Sequence, residues 1–125
     1  MSGVKGSGAV GEKYAAKYLS DKGFSIVCKN FRTRYGEIDI IAANDEYLLF
    51  VEVKSRSGNF SSAREAVTVQ KQKKLIMTAL MYLEQNKCEL QPRFDVIEVY
   101  FRSKTDLSPI KLCHIENAFD AEGTY

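Results

Sequence analysis

The chain has 125 residues, 45% of them hydrophobic, and a formal net charge of +2 at pH 7. This length suits one domain with a single core, and a charge so close to zero favours no class of partner by itself. No apolar run is long enough to cross a bilayer, and no signal segment is visible, so we expect a cytoplasmic protein without membrane contact. Three cysteines without metal-ligand spacing, Cys28, Cys88 and Cys113, predict reduced thiols and argue against a zinc site.

Apolar periodicity and turn residues predict an α/β protein with the element order αβββαββ. Residues 1–8 are Gly-rich and predict a flexible N-terminus, whereas residues 9–125 are expected to form one domain. The predicted elements are a helix from Ala9 to Lys22 closed by Gly23, a strand at 24–31, two strands within 36–56, a helix from Thr68 to Asn86, strands at 93–101 and 110–115, and a helical turn at 117–119. We expect a mixed sheet of four to five strands flanked by helices.

The two strands within residues 36–56 are the centre of the predicted fold. A four-residue turn from Asn44 to Tyr47 would pair Ala43 with Leu48. One face of this hairpin is then wholly apolar and consists of Ile38, Ile40, Ala42, Leu49, Val51 and Val53. The other face consists of Glu37, Asp39, Ile41, Leu48, Phe50, Glu52 and Lys54. A three-residue turn would mix the two sets and bury unpaired carboxylates, which is very costly, so the four-residue turn is predicted.

This register places Asp39 opposite Glu52, and Glu37 opposite Lys54. Opposed carboxylates destabilise an antiparallel pair, so the arrangement predicts a cation between them. Mg²⁺ and Mn²⁺ bind through one or two carboxylates together with substrate phosphates. Lys54 lies on the same face as Glu52 and can orient an attacking water. Together these residues predict metal-assisted hydrolysis of a phosphodiester.

The same residues resemble the signature of the PD-(D/E)xK nuclease superfamily, in which an Asp on one strand precedes Glu-x-Lys on the next. The chain is most similar to the YraN-like family of bacterial proteins and, less closely, to archaeal Holliday-junction resolvases. The matching segments are Gly11-Glu12, Tyr18-Leu19, Gly23, Asn30, Arg32, Gly36–Asp39, Phe50–Lys54, Arg56, Lys71, Arg93–Val96 and His114–Phe119. The resemblance implies a restriction-endonuclease-like core, Mg²⁺ or Mn²⁺ as cofactor, and DNA as the partner.

Two further residues join the predicted site through this resemblance. Glu12 falls at the margin of the apolar face of the first helix, where a metal-site role and a helix-dipole role are about equally favoured by spacing alone. Gln72 falls inside the apolar stripe of the second helix, where its amide needs a partner. The resemblance implies that Glu12 is a metal ligand or catalytic residue, and that Gln72 positions Lys54 or a water.

Four basic residues are candidates for contacts with nucleic acid. Arg32, Arg34 and Arg56 lie at strand ends near the predicted site, and a guanidinium fork suits phosphate. Solvated surface arginines are the simpler explanation for Arg32 and Arg34, whereas Arg56 shares its strand parity with Glu52. Lys71 matches the family pattern but also belongs to a basic helix face.

The sequence is compatible with three functions. The site residues and the resemblance favour a metal-dependent DNA endonuclease acting on branched DNA or on recombination and repair intermediates. The alternative is a non-catalytic module that binds nucleic acid or a protein partner. The third is a small structural protein with surface ion pairs Glu37–Lys54 and Glu52–Arg56, although exposed pairs contribute only about 0–1 kcal/mol each. Resolvases act as two-fold dimers, and the sequence leaves a homodimer open.

Overall fold

The computed structural model describes residues 7–57 and 67–120. The elements are α1 (Ser7–Asp21), β1 (Ser25–Thr33), β2 (Gly36–Ala43), β3 (Tyr47–Ser57), α2 (Val69–Gln85), β4 (Gln91–Phe101) and β5 (Pro109–Phe119). The predicted mixed α/β fold with the order αβββαββ is confirmed. Residues 1–6 of the segment predicted to be flexible lie outside the described residues. Among the described helices, none is long and apolar enough to span a membrane.

The five strands form one sheet in the order β1-β2-β3-β4-β5. Only β3 and β4 run parallel, and the chain crosses between them through α2. The other neighbouring strands are antiparallel. The central strand β3 is buried from Leu48 to Glu52, as expected for a strand that is covered on both faces.

The two helices cover opposite faces of the sheet. On one face, Leu19 of α1 belongs to a core cluster that includes Val51. On the other face, Tyr82 of α2 packs against Phe50, with the ring centroids 6.0 Å apart. Phe50 and Val51 are consecutive, so their side chains point to opposite sides of β3. By the same alternation, Glu52 and Lys54 point to the α2 side.

The predicted Gly23 closes helix α1, and the predicted Thr68 caps the start of helix α2. Gly23 has φ +100°, and the N–H of the following Phe24 donates to the carbonyl of Leu19 at 3.0 Å, which closes α1. At the start of α2, the hydroxyl of Thr68 accepts the N–H of Lys71 at 3.1 Å. These caps define the C-terminal end of α1 and the N-terminal end of α2.

The predicted turn and register of the central hairpin are confirmed from Ala43–Leu48 to Ile40–Val51. The predicted face of Ile38 was wrong. Ile38 belongs to the core cluster on the α2 side, together with Ile41, whereas Ile40 faces α1.

A left-handed residue in β1 accounts for this difference. Asn30 has φ 54°, a conformation that Asn tolerates better than most residues. On either side of it, Cys28 and Phe31 both pack on the α2 side, where they pair with Ile41 and Ile38. The alternation of both strands therefore breaks at Asn30 and at the residue across from it, Asp39.

The predicted helical turn at residues 117–119 was also wrong, because β5 continues to Phe119. Asn117 has φ 52°, and its N–H donates to the carboxylate of Asp95 at 3.0 Å. The register between β4 and β5 shifts at this point, which is a β-bulge, and the strand continues beyond it. Phe119 thereby stacks on Phe94, with the ring centroids 4.9 Å apart.

Asp95 is the centre of a buried polar network that joins α1 to the sheet. Its carboxylate accepts two hydrogen bonds from Arg93, both at 2.9 Å, and contacts His114 Nε2 at 2.7 Å. His114 Nδ1 contacts the hydroxyl of Tyr18 in α1 at 2.9 Å. Burial alone would raise the pKa of Asp95, but the hydrogen bonds from His114, Arg93 and Asn117 outweigh burial and lower it. These contacts give Asp95 a structural role.

Candidate functional site

A cleft of about 320 Å³ opens between the start of β2, the middle of β3 and the first turns of α2. We call it the acidic cleft. Its lining residues are Tyr35, Gly36, Glu37, Asp39, Glu52, Lys71, Lys74 and Leu75. The fold thus brings Asp39, Glu52 and Lys71 together, three of the residues that the sequence selected.

Asp39 lies just beyond the last residue pair of the β2–β3 ladder, Ile40–Val51. Its Oδ2 accepts the N–H of Val53 at 2.8 Å, so the side chain replaces a ladder hydrogen bond. Burial raises the pKa of Asp39 to about 7, the negative charge of Glu52 adds to the rise, and the Val53 hydrogen bond opposes it. At neutral pH, this carboxyl group therefore changes charge readily when a cation approaches.

Glu52 is 6% exposed and forms an ion pair with Lys71, whose Nζ lies 2.9 Å from Glu52 Oε2. The hydrogen bond to Glu52 raises the pKa of Lys71, burial opposes the rise, and the charges of Glu52, Asp39 and Glu37 add to it. The ammonium of Lys71 is therefore the counter-ion of the acidic cleft. The predicted ion pair between Glu52 and Arg56 is not found, because Glu52 pairs with Lys71 and Arg56 pairs with Glu98.

Glu37 lines the acidic cleft but does not pair with Lys54 as predicted. It lies across from Arg32 in β1, with Arg32 Nε 3.2 Å from Glu37 Oε2. This contact is an ion pair without a hydrogen bond, and Glu37 Oε2 is a buried acceptor without a hydrogen-bond partner in the described part of the chain. The break in side-chain alternation at Asp39 explains the change, because residues 36–39 of β2 pair with β1 and not in register with β3.

Glu12 lies beside the acidic cleft rather than in its lining. Its Oε1 accepts a hydrogen bond from the side-chain amide of Asn30 at 3.2 Å. The preceding Gly11 is buried, and a methyl group there would overlap the Ser55 hydroxyl, so α1 approaches β3 closely at this point. The charge of Glu12 contributes to the raised pKa of Asp39, which indicates that the two carboxylates are near each other.

Lys54 and Gln72 both have unused hydrogen-bonding capacity. Lys54 is partly exposed and, among the described contacts, makes no hydrogen bond or ion pair. Gln72 is 2% exposed, as predicted from its place in the apolar stripe. Its Nε2 donates to the carbonyl of Val67 at 2.7 Å, whereas its Oε1 is a buried acceptor with no partner within the described ranges.

The predicted nucleic-acid residues differ in how tightly they are held. The guanidinium of Arg34 stacks on the ring of Tyr35, 5.0 Å from its centroid, and is otherwise open to solvent. Arg56 Nη2 lies 3.5 Å from Glu98 Oε2, and only 22% of the Arg56 side chain is exposed. A phosphate role for either residue stays a prediction.

Sequence reasoning assigned no role to two residues that shape this region, Asn30 and Glu98. Glu98 is 2% exposed, pairs in register with Lys54 across the parallel β3–β4 ladder, and accepts a hydrogen bond from the hydroxyl of Tyr100 at 3.0 Å. The signal was the spacing of Glu98 and Tyr100, which share one face of β4. For Asn30, the signal was its place among the residues that match the family pattern.

The donor atoms of the acidic cleft suit a hard divalent cation. Across residues 7–57 and 67–120, no group of three or more His, Cys, Asp or Glu side chains is close enough to hold a metal ion alone. Mg²⁺ needs only one or two carboxylates when waters and phosphates complete its shell. Asp39 and Glu52 supply two carboxylates, and the hydrogen-bond-free Glu37 Oε2 supplies an acceptor nearby. The residues present therefore fit Mg²⁺ or Mn²⁺.

Replacing Asp39 by Asn should stabilise the metal-free protein at pH 8. A carboxyl group whose pKa is raised on folding holds its proton more tightly in the folded state, so its contribution to stability falls as pH rises from about 4 to 7. An Asn amide keeps an acceptor for the Val53 N–H without the charge. We expect a gain of about 1–3 kcal/mol at pH 8 and little difference at pH 4, measured by urea unfolding with chelator present.

The matched control is Asp45→Asn, which changes an exposed aspartate in the β2–β3 turn. This variant should differ from the parent by less than about 0.5 kcal/mol at both pH values. An Asp39→Asn protein that is less stable than the parent at pH 8 would contradict the electrostatic description of the cleft.

The chain is similar to members of one protein family over most of its own length and most of theirs. The family model described as uncharacterised protein family UPF0102 matches residues 11–99. The chain is 48% identical over 114 residues to a UPF0102 protein of Caldanaerobacter subterraneus subsp. tengcongensis, covering 90% of this chain and 93% of that protein. It is 46% identical over 117 residues to one of Clostridioides difficile, covering 92% and 97%. This chain therefore belongs to the UPF0102 family, which confirms the YraN-like resemblance.

Proposed function

We propose that this protein is a divalent-metal-dependent nuclease that hydrolyses phosphodiester bonds in DNA. The observation that carries the proposal is the meeting of Asp39 and Glu52 in one cleft, with Lys54 two residues further along on the same side of β3. Two adjacent carboxylates repel each other, so the arrangement costs stability and is favourable only with a cation. This favours a metal site over a purely structural role.

In the proposed site, Asp39, Glu52 and the carbonyl of Val53 would hold Mg²⁺ or Mn²⁺. When bound, the ion supplies a Lewis acid that polarises the phosphodiester and offsets the negative charge that develops on it. Asp39 is held in place by the Val53 N–H, so its second oxygen has a fixed direction. Glu52 is held in the wall of the cleft by its burial.

The other residues act on the water and on the phosphate. Lys54 has no competing partner in the described structure, so its ammonium can orient the attacking water and offset charge in the transition state. Gln72 is fixed through Nε2, which leaves the buried Oε1 as an acceptor that positions Lys54 or a water. Glu12, held by Asn30, completes the site from its edge, directly or through water.

Lys71 has two roles in this proposal. In the metal-free protein, its ammonium neutralises Glu52. With a cation on Glu52, the ammonium of Lys71, whose side chain is 48% exposed, would be released to contact the incoming phosphate. Lys74 lines the same cleft and Arg34 adjoins its lining residue Tyr35, so both would add positive charge there. Arg32 on β1 and Arg56 on β3 would add further contacts to phosphate.

The proposed substrates are branched DNA and other recombination or repair intermediates, on the strength of the resemblance to Holliday-junction resolvases. A non-catalytic nucleic-acid-binding module is the second candidate. The Lys71–Glu52 pair favours it, because that pair neutralises part of the cleft without any metal. Such a module would bind DNA without metal, and Asp39→Asn would leave its affinity unchanged.

The proposed activity is tested by cleavage of a DNA panel that contains a four-way junction, a single strand and a damaged duplex. With Mg²⁺ or Mn²⁺, we expect the parent to cut at least one of these substrates. Asp39→Asn and Lys54→Ala should each slow cleavage by at least about 100-fold, because one removes a metal ligand and the other removes the charge beside the water.

The control for cleavage is Lys17→Ala, which removes an exposed lysine of α1 whose ion pair with Asp21 is solvated. Circular dichroism of every variant should match the parent. The assignment is wrong if Asp39→Asn cuts as fast as the parent, since that activity would come from another site or another protein.

Lys71→Met should bind Mn²⁺ about three- to tenfold more tightly than the parent, because the competing ammonium is gone and the side-chain volume is retained. Isothermal titration calorimetry measures the dissociation constant directly. Lys87→Met, a change at an exposed lysine after α2, is the matched control and should leave the affinity unchanged. Weaker Mn²⁺ binding in Lys71→Met would show that Lys71 does not compete for Glu52.

A further inference from the structure

The outer face of α2 carries a stripe of four residues that does not contact the sheet. The buried residues of this helix are Gln72, Leu75, Thr78, Ala79 and Tyr82. On the opposite side, Lys73, Met77, Leu80 and Glu84 follow each other at spacings of four, three and four residues. This is the spacing of a seam between two packed helices. Met77 is 40% exposed and Leu80 is 54% exposed, so the centre of the stripe is apolar and open.

Charged residues of opposite sign flank the apolar centre. Lys73 precedes it by one turn and Glu84 follows it by one turn, and both are exposed. Within the described chain, neither residue forms a hydrogen bond or an ion pair through its side chain. The two charges are therefore available for contacts with another molecule.

The stripe is complementary to a second copy of itself. Met77 and Leu80 are equally far from the midpoint between Thr78 and Ala79, and so are Lys73 and Glu84. A two-fold axis through that midpoint would align two α2 helices antiparallel. Met77 then packs on Leu80 of the partner subunit, and Lys73 meets the partner's Glu84. Each contact occurs twice, which is the property of an isologous interface.

We propose that the protein forms a two-fold dimer through this outer face of α2. A parallel alignment of the same helices would set Lys73 against Lys73 and Glu84 against Glu84, so the charges select the antiparallel arrangement. Two helices of 17 residues form a smaller contact than the roughly 800 Å² per partner of a standard interface. We therefore expect the dimer to be reversible.

The dimer would relate two acidic clefts by symmetry. Lys71 and Lys74 line the cleft from the same helix that carries the seam. One rigid helix pair then separates the two clefts, and each cleft remains open on the flank of the pair. The dimer does not require the proposed nuclease activity, and the activity does not require the dimer.

Charge reversal tests the proposal by sedimentation equilibrium of the full chain, from about 1 to 200 μM and without DNA. The parent should show a reversible monomer–dimer equilibrium. Lys73→Glu and Glu84→Lys should each raise the dissociation constant at least about tenfold, because each replaces two attractive contacts by two repulsive ones. The double variant Lys73→Glu/Glu84→Lys restores both pairs with the signs exchanged, and its constant should return to within about threefold of the parent.

Lys13→Glu, at an exposed position of α1, is the matched charge-reversal control and should dimerise like the parent. Far-ultraviolet circular dichroism establishes that each variant is folded. A parent that stays monomeric over the whole range overturns the proposal. So does a double variant as weak as the single ones, or single variants as tight as the parent, because either result places any dimer contact elsewhere.

Discussion

The repulsion between the carboxylates of Asp39 and Glu52 is the constraint on which the site depends. A regular hairpin would place the two side by side on the same strand pair, half-buried and facing each other. In the folded chain, the ladder stops one residue pair earlier, and Asp39 bonds to the backbone of Val53 instead. Lys71 supplies a positive charge from α2 at 2.9 Å from Glu52. The cleft thus contains a repulsion between carboxylates that lowers the stability of the fold and that a bound cation would relieve.

The backbone produces this cleft through one unusual residue. Asn30 in β1 adopts a left-handed conformation, and the alternation of side chains shifts in both β1 and β2 at that point. The shift moves Ile38 into the core beneath α2 and directs Glu37 towards Arg32. The start of β2 therefore separates from β3, which leaves room between them. Asn30 also holds Glu12, so one residue links the distortion of the sheet to the edge of the site.

The order of elements and most of the register followed from simple rules. Alternation of apolar and polar residues fixed the Ala43–Leu48 pairing, and burial of Gln72 followed from helical spacing. The errors occurred where a rule that assumes regular geometry met an irregular backbone. The face of Ile38 depends on φ at Asn30, and the end of β5 depends on φ at Asn117. Those angles are set by contacts between distant segments, and local pattern does not report them.

Ion-pair partners were the least predictable part of the site. Strand parity alone suggested Glu37–Lys54 and Glu52–Arg56, but the observed pairs are Arg32–Glu37, Lys71–Glu52 and Arg56–Glu98. A long charged side chain can pair with any opposite charge within its reach, and the observed partners come from α2, β1 and β4. Such a choice depends on the packing angle of each element, which the sequence specifies only through the completed fold.

The most direct test of the proposed metal site is thermal unfolding with and without Mn²⁺, for the parent and for Asp39→Asn. A metal ion that binds only the folded state, at 100 times its dissociation constant, stabilises by about 2.7 kcal/mol. For a domain of this size, this should raise the midpoint of the parent by roughly 5 °C or more. Asp39→Asn should show no such shift. An equal shift in both proteins, or none in the parent even with a short DNA duplex present to supply phosphates, would contradict the assignment of Asp39 and Glu52 as a metal site.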